Sequence, residues 1–265
     1  MTVESDKLQK KSKKISKSAI LKHFTEPPMR VIVYSVTDST NTQAKALLRQ
    51  GEQPPFLLVA EEQTAGRGRH GHTFFSPESG MYFTLAIKPE NLDLALQKAT
   101  VAAAVSLRET IEQLTGLKCE IKWVNDLYLN QRKIAGILCE APRDSHGQIA
   151  GIIIGIGVNV CQKVFPEEIK DTAGSLGMPD LDRNHLAALL TERLLYWLAH
   201  LGDPSLIREY KKHSLLLGKN VTFSINGRQI TGIAADINED GNLIVTADET
   251  YTLNSGEISL LSWQK

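Results

Sequence analysis

Apolar and polar positions along this chain fall into two textures that meet near Leu217. Ahead of that point, VIVYSV at 31–36, FLLVAE at 56–61 and MYFTLAIKP at 81–89 are short, nearly unbroken apolar runs with the β-branched and aromatic character of strands. Helical spacing intervenes between them. Asp38-Ser39-Thr40-Asn41 supplies N-capping side chains for a helix that should run to about Gln50 and stop at Gly51. A longer helix is predicted from about Leu92 to Thr115, with Leu107, Ile111 and Leu114 on one core-facing side and Gly116 placed to end it. CEIKWVNDLYL at 119–129 and KIAGILCEA at 133–141 read as two strands joined by a tight Gln131-Arg132 turn, with Asn130 also suited to it. IAGIIIGIGVNV at 149–160 is a further apolar strand, and Leu186, Leu190, Leu194 and Trp197 outline an amphipathic helix, followed by a short one from Pro204 to His213. Beyond Leu217 the pattern is of short strands punctuated by Asn226-Gly227 and a second Gly-containing turn, NEDGN, as in a small β-barrel.

Residues 1–28, ending in Pro27-Pro28, stand apart as a lysine-rich stretch expected to form a mobile or partly helical tail. The 265 residues, 42% hydrophobic and 23% charged, can build one large domain and a small one. Thirty basic residues balance thirty acidic ones, but seven lysines against three acids fall in residues 1–28, leaving the remainder mildly acidic. Its overall field therefore does not favour non-specific nucleic-acid binding. Cys119, Cys139 and Cys161 show no metal-site spacing, and a reduced, cytoplasmic protein is the simplest reading. No apolar signal segment or membrane-length run is present.

Candidate chemistry is concentrated in EEQTAGRGRHGHTFFSP at 61–77. Arg67 and Arg69 alternate with Gly66, Gly68 and Gly71, so the backbone can approach an anion closely while guanidinium forks reach its oxygens. The glycines impose little local order, so a mobile lid is expected. Lys133 precedes an apolar run, where an unpaired ammonium is costly, and so points to an anionic ligand. The hairpin brings Lys122, Asn125 and Asp126 near it. Gly155 and Gly157 in a strand mark close approach of a ligand or another backbone. Ser39, Thr40 and Asn41 face one place at a helix start, although capping is the commoner role for such residues. The glycine spacing does not fit a Rossmann site, and no GxxxxGK[ST] phosphate loop occurs.

Together, STNTQAK at 39–45, EEQTAGRGRHG at 61–71, FFSPESGMYFTLAIKP at 74–89, KWVNDLYLNQRKIAGILCE at 122–140, GIGVNV at 155–160 and the closing GEISL resemble, in order, the biotin protein ligase family in its short form without an N-terminal DNA-binding domain. The resemblance implies an α+β fold: a central mixed-sheet biotin/lipoate ligase-like catalytic domain at 29–214 and a small C-terminal SH3-like β-barrel at 215–265, preceded by the basic tail at 1–28. It also implies a two-step reaction in which biotin and ATP form biotinyl-5′-AMP and the biotinyl group then passes to a lysine of a biotin carboxyl carrier domain. Magnesium would arrive with ATP, near Asp126, with no metal fixed by the protein alone.

Carried over by resemblance, Ser39, Thr40, Asn41 and Gln63 hydrogen-bond the biotin head, Gly66 belongs to the biotin-binding loop, and Gly136, Gly155 and Gly157 leave room for the ring and tail. Arg67 holds the carboxylate and phosphate end, Lys133 stabilises developing charge, and Asp126 lies by the phosphate or metal. Arg69, Phe74, Asn125 and Asn159 are implied in adenylate binding. Departures from the family pattern are Val124 for a common proline, Phe74 for a common tryptophan, His70 for a frequent arginine and Leu261 for a frequent basic residue. A lipoate attachment enzyme is the nearest rival, and a nucleic-acid-binding protein a remoter one. DNA binding and membrane association are expected to be missing, and an exposed sheet edge could support a homodimer.

Overall fold

The protein was analysed as a computed structural model in which residues 13–254, 256 and 258–260 are described. The first twelve residues of the tail and Leu261 lie outside the described residues. A seven-stranded sheet contains β1 (Arg30–Thr37), β2 (Phe56–Gln63), β3 (Met81–Ile87), β4 (Glu120–Lys122), β5 (Asp126–Leu129), β6 (Arg132–Glu140) and β7 (Ile152–Val158). Its order is β1-β2-β3-β7-β6-β5-β4. The β1–β2 pair is parallel and the others antiparallel, giving the expected mixed sheet.

The runs in β2, β3 and β7 are continuously apolar because both sheet faces are covered. Leu57, Val59, Phe83, Leu85, Ile152, Ile154 and Ile156 join the main core, which includes the inner faces of α3 (Leu92–Thr115) and α4 (Arg183–Ala199). Alternate residues Phe56, Leu58, Ala86 and Ile153 pack instead with Ala44 and Leu48 of α2 (Thr40–Arg49). Farther along this second face, side chains shrink to Gly155 and Gly157 on β7 and to Gly136 on β6, while Thr84 and Tyr82 continue the face on β3. This reduction in side-chain volume opens the face into a cavity.

Two expectations change. The stretch 119–129 is not one strand: β4 and β5 fold back on each other, pairing Lys122 with Asp126 across Trp123-Val124-Asn125, whose Trp123–Val124 peptide is cis. Polar groups there find tertiary partners: Trp123 Nε1–H donates to Gly241 O at 2.9 Å, Tyr210 Oη–H to Val124 O at 3.0 Å, and Asn125 Nδ2 to Ile137 O at 2.9 Å. The turn between β5 and β6 is also displaced by one residue, its positive-φ positions being Asn130 and Gln131.

The second change concerns the tail, which is partly helical as expected but packed into the core. Ser16 caps a short α1 (Lys17–Leu21), and Ile15, Ile20 and Phe24 are buried in the main core. Ile15 N–H donates to Glu61 Oε1 at 2.8 Å, while Ser16 and Lys14 bond the Asn184 side chain. Thus residues 13–24 form a strap held by apolar anchors, with lysines interspersed. The chain leaves α5 (Pro204–Lys212) alongside β4, where Leu215 N–H bonds Ile121 O at 2.8 Å. It then forms the five-stranded C-terminal sheet from β8 (Asn220–Ile225), β9 (Arg228–Ile237), β10 (Leu243–Thr246), β11 (Thr250–Leu253) and β12 (Ser259–Leu260), the SH3-like barrel, in the order β11-β10-β9-β8-β12. Among the described residues no helix is long and apolar enough to cross a membrane.

Candidate active site

The cavity above the strand glycines has a volume of about 330 Å³ and is lined by α2, β3, β5, β6, β7 and the arginine loop, with Gly256 and Ile258 reaching it from the C-terminal domain. At its α2 end, Asp38 turns the chain into the helix. Burial pushes its carboxyl pKa up, but hydrogen bonds from Gln43, the Ser39 N–H and Thr37 together outweigh this and hold it below the usual carboxylate value. The Ser39 hydroxyl makes no capping bond and lines the cavity. Gln63 Oε1 accepts from Thr40 N–H at 2.8 Å and from its hydroxyl at 3.1 Å; Gln63 Nε2 donates to Ser76 Oγ at 3.0 Å. Thr84 Oγ lies 2.7 Å from Thr40 Oγ and 2.8 Å from Asn41 Oδ1. These hydrogen bonds orient a polar pocket within an apolar sheet.

The strand glycines are needed first by the protein's own side chains. A Cβ on Gly155 would stand 2.0 Å from Asn41 Oδ1, and one on Gly157 would stand 2.5 Å from the Phe74 ring. Phe74 also approaches Gly136, where a Cβ would lie 3.1 Å from the ring. The aromatic side chain therefore rests directly on the two glycines and forms one wall of the cavity. Tyr82 meets Phe74 edge-on, its hydroxyl bonded to Pro77 O at 2.7 Å, and burial pushes its phenol pKa up.

The loop expected to be a lid has the backbone pairing of a hairpin. Arg67 bridges Thr73, Gly68 N–H bonds His72 O at 2.7 Å, and Phe74 N–H bonds Gly66 O at 3.0 Å. The cross-strand bonds supply the order that its glycines do not. Each of the three cations carried over to the site has an acceptor: Lys133 Nζ lies 2.7 Å from Asp126 Oδ1, Arg67 Nη2 lies 3.7 Å from Glu140 Oε1, and Arg69 Nη1 donates to Asn125 Oδ1 at 3.4 Å. A bulge aims Lys133: Tyr128 pairs with Lys133 but Leu127 with Ala135, leaving Ile134 as the extra residue. Lys133 N–H then bonds Thr172 O at 2.8 Å rather than continuing the ladder.

Thirteen of the carried-over positions line this one cavity: Ser39, Thr40, Asn41, Gln63, Arg67, Arg69, Phe74, Asn125, Asp126, Lys133, Gly136, Gly155 and Gly157. Gly66 and Asn159 do not line it. Gly66 lets the hairpin close, since a Cβ there would be 2.3 Å from both Phe74 O and Ser76 Oγ. Asn159 is buried and fastens the 172–176 segment, donating from Nδ2 to Gly174 O at 2.9 Å and accepting from Leu176 N–H at 2.9 Å. Sequence reasoning missed Trp123, Ile258 and Glu140. Glu140 was open to discovery, because alternation from Gly136 through Leu138 puts it on the cavity face and a carboxylate closing an apolar strand calls for a partner.

Residues 33–159 match the Biotin/lipoate A/B protein ligase family, and residues 216–261 match the Biotin protein ligase C terminal domain. The chain is 32% identical over 258 residues to the bifunctional ligase/repressor BirA of Bacillus subtilis, covering 92% of this chain and 78% of that protein. It is 31% identical to the biotin–[acetyl-CoA-carboxylase] ligase of Mycobacterium tuberculosis, over 85% of this chain and 87% of the relative. A solved structure of Aquifex aeolicus biotin protein ligase in complex with biotin and ATP superimposes with a TM-score of 0.73 and 31% identity, covering 87% of this chain and 98% of that one. With two matching domains in the same order and a cavity furnished from the shared motifs, this chain is a ligase that belongs to the biotin protein ligase family.

Proposed function

We propose that the protein joins biotin to ATP as biotinyl-5′-AMP and transfers the biotinyl group to one lysine of a biotin carboxyl carrier domain. The observation that carries this reading is the chemistry of the cavity lining, which brings neutral hydrogen-bonding groups on α2 and Gln63 together with the cations Arg67, Arg69 and Lys133. A neutral cyclic urea suits the first group and a carboxylate beside a phosphate suits the second. In the first step a carboxylate oxygen of biotin attacks the α-phosphorus of ATP and pyrophosphate departs. Arg67 holds the carboxylate, and Lys133 faces the oxygens on which negative charge gathers. In the second step the acceptor lysine, as a neutral amine, attacks the acyl carbon; the bond from that carbon to the phosphate oxygen breaks, AMP departs, and the new amide nitrogen releases its proton to solvent. Arg69 and Phe74 keep the mixed anhydride covered until then.

Asp126 is the single carboxylate among the described residues lining the cavity. That donor set suits magnesium delivered on the triphosphate, since this ion commonly keeps several waters and takes one or two protein carboxylates. Magnesium would neutralise charge on the departing pyrophosphate. Among the described residues there is no group of three or more His, Cys, Asp or Glu side chains able to hold a metal alone. We assign the chain ligation alone, without DNA binding, supported by the acidic balance of the sequence beyond residue 28. The test combines biotin-dependent ATP–pyrophosphate exchange with mass spectrometry of a carrier domain incubated with the protein, biotin, ATP and magnesium. One biotin amide on the carrier is expected. Exchange driven by lipoate and not by biotin would overturn the assignment.

A further inference from the structure

Glu140, at the last position of β6, receives contacts from three residues on two elements, Asn41 and Lys45 of α2 and Arg67 of the arginine loop. Its Oε2 accepts from Asn41 Nδ2 at 3.0 Å, and its Oε1 lies 2.5 Å from Lys45 Nζ and 3.7 Å from Arg67 Nη2. Asn41 and Lys45 are one helical turn apart on α2, so both reach the same carboxylate. The two oxygens differ in their tasks. Oε2, together with Leu138 O at 3.2 Å from the same Asn41 nitrogen, occupies that amide's donors and turns Asn41 Oδ1 towards Thr84 above Gly155. Oε1 balances one well-shielded lysine and one half-exposed arginine, whose side chains are 17% and 48% exposed.

We propose that Glu140 is a positioning residue for substrate entry: it fixes the Asn41 amide, and it anchors Arg67 until the substrate carboxylate displaces it. The proposal rests on the assignment of Arg67 to the carboxylate of biotin. The Arg67 contact is long and solvent-screened, so an incoming carboxylate with a direct guanidinium contact can replace it. The Asn41 contact is shorter and shielded, and persists through the exchange. Glu140 is therefore a competitor for the charged end of the ligand and a support for its neutral end.

Binding of biotin and of its neutral alcohol analogue separates these tasks, using the full chain, Glu140→Gln, Glu140→Ala, Arg67→Met and the Glu140→Gln/Arg67→Met double variant. Glu140→Gln retains an acceptor for Asn41 and removes the competing charge. It should tighten biotin about threefold, leave the alcohol unchanged, and lose its effect in the Arg67→Met background. Glu140→Ala should weaken the alcohol about tenfold, with Glu140→Gln restoring the wild-type value. Unchanged or weakened biotin binding in Glu140→Gln, or tightening that persists without Arg67, overturns the anchoring role. Wild-type affinity for the alcohol in Glu140→Ala overturns the orienting role; should that variant fail to fold, the Gln and Arg67 cycle still decides the anchoring role. Failure of the wild-type protein to bind biotin at all would instead count against the function assigned above.

Discussion

At the scale of single residues, the cavity pairs cations with acceptors before any substrate arrives. Lys133 rests against Asp126 at 2.7 Å; in the proposed reaction it would serve a phosphate, and its charge would matter most as that phosphate becomes more anionic. Lys133→Ala should lower biotin-dependent pyrophosphate exchange by about 10²-fold, the scale of losing one oriented donor. Its affinity for biotin, measured by calorimetry, should fall much less; equal losses in affinity with unchanged turnover would remove Lys133 from the chemical step. Gly155→Ala tests the polar end. The added Cβ would sit 2.0 Å from Asn41 Oδ1, forcing the amide from Thr84 and Glu140. Displacing those bonds costs about 1–3 kcal/mol, or roughly 5- to 150-fold in biotin affinity. Undiminished affinity would show that Asn41 takes no part in recognition. The glycine was legible in the sequence as a point of close approach, but the group approaching it was not, because Asn41 is far away in the chain and meets it only across the sheet.

At the scale of elements, strands and helices with continuous or periodic apolar patterns were readable, from the run that opens β2 to the left-handed Gly116 that closes α3. The β4–β5 reversal was not readable. No glycine or proline marks Trp123-Val124-Asn125, and its polar groups are satisfied by Gly241, Tyr210 and Ile137, all distant in sequence. This reversal also joins the two domains, since Trp123 is the buried side chain that bonds the NEDGN turn. Trp123→Phe should preserve most of the apolar volume while leaving Gly241 O without its donor. A stability loss of about 1–3 kcal/mol is expected in urea unfolding. No change in midpoint would mean that the bond contributes nothing to holding the turn against the catalytic domain.

At the scale of the whole molecule, the strap at residues 13–24 completes the core that the helices alone leave open. Beneath it, Arg183 is nearly fully buried; its Nη1 donates to Glu78 O and Gly80 O, each at 2.7 Å, and its Nη2 lies 3.3 Å from Glu61 Oε1. The same Glu61 oxygen receives Ile15 N–H, so the strap, the entry to the arginine loop and the exit from it meet at one buried pair. Removing residues 1–26 uncovers the sites of Ile15, Ile20 and Phe24. At about 1.5–3 kcal/mol for each buried side chain, this should cost several kcal/mol and lower the thermal midpoint of unfolding. An unchanged midpoint would show that this stretch contributes nothing to the stability of the core.

The sequence by itself determined the two textures of the chain and most of its elements, because local periodicity and short-range turn chemistry are written in adjacent positions, while the order of its motifs, through their resemblance to a family, implied most residues of the cavity. Only the tertiary structure decided that residues 13–24 belong to the core, that Phe74 rests on Gly136 and Gly157, that Asn159 is a structural fastener, and that Glu140 joins Asn41, Lys45 and Arg67. Each of these depends on which groups become neighbours when the sheet closes. Burial then requires that every charge and amide brought there find a partner, whatever its distance along the chain.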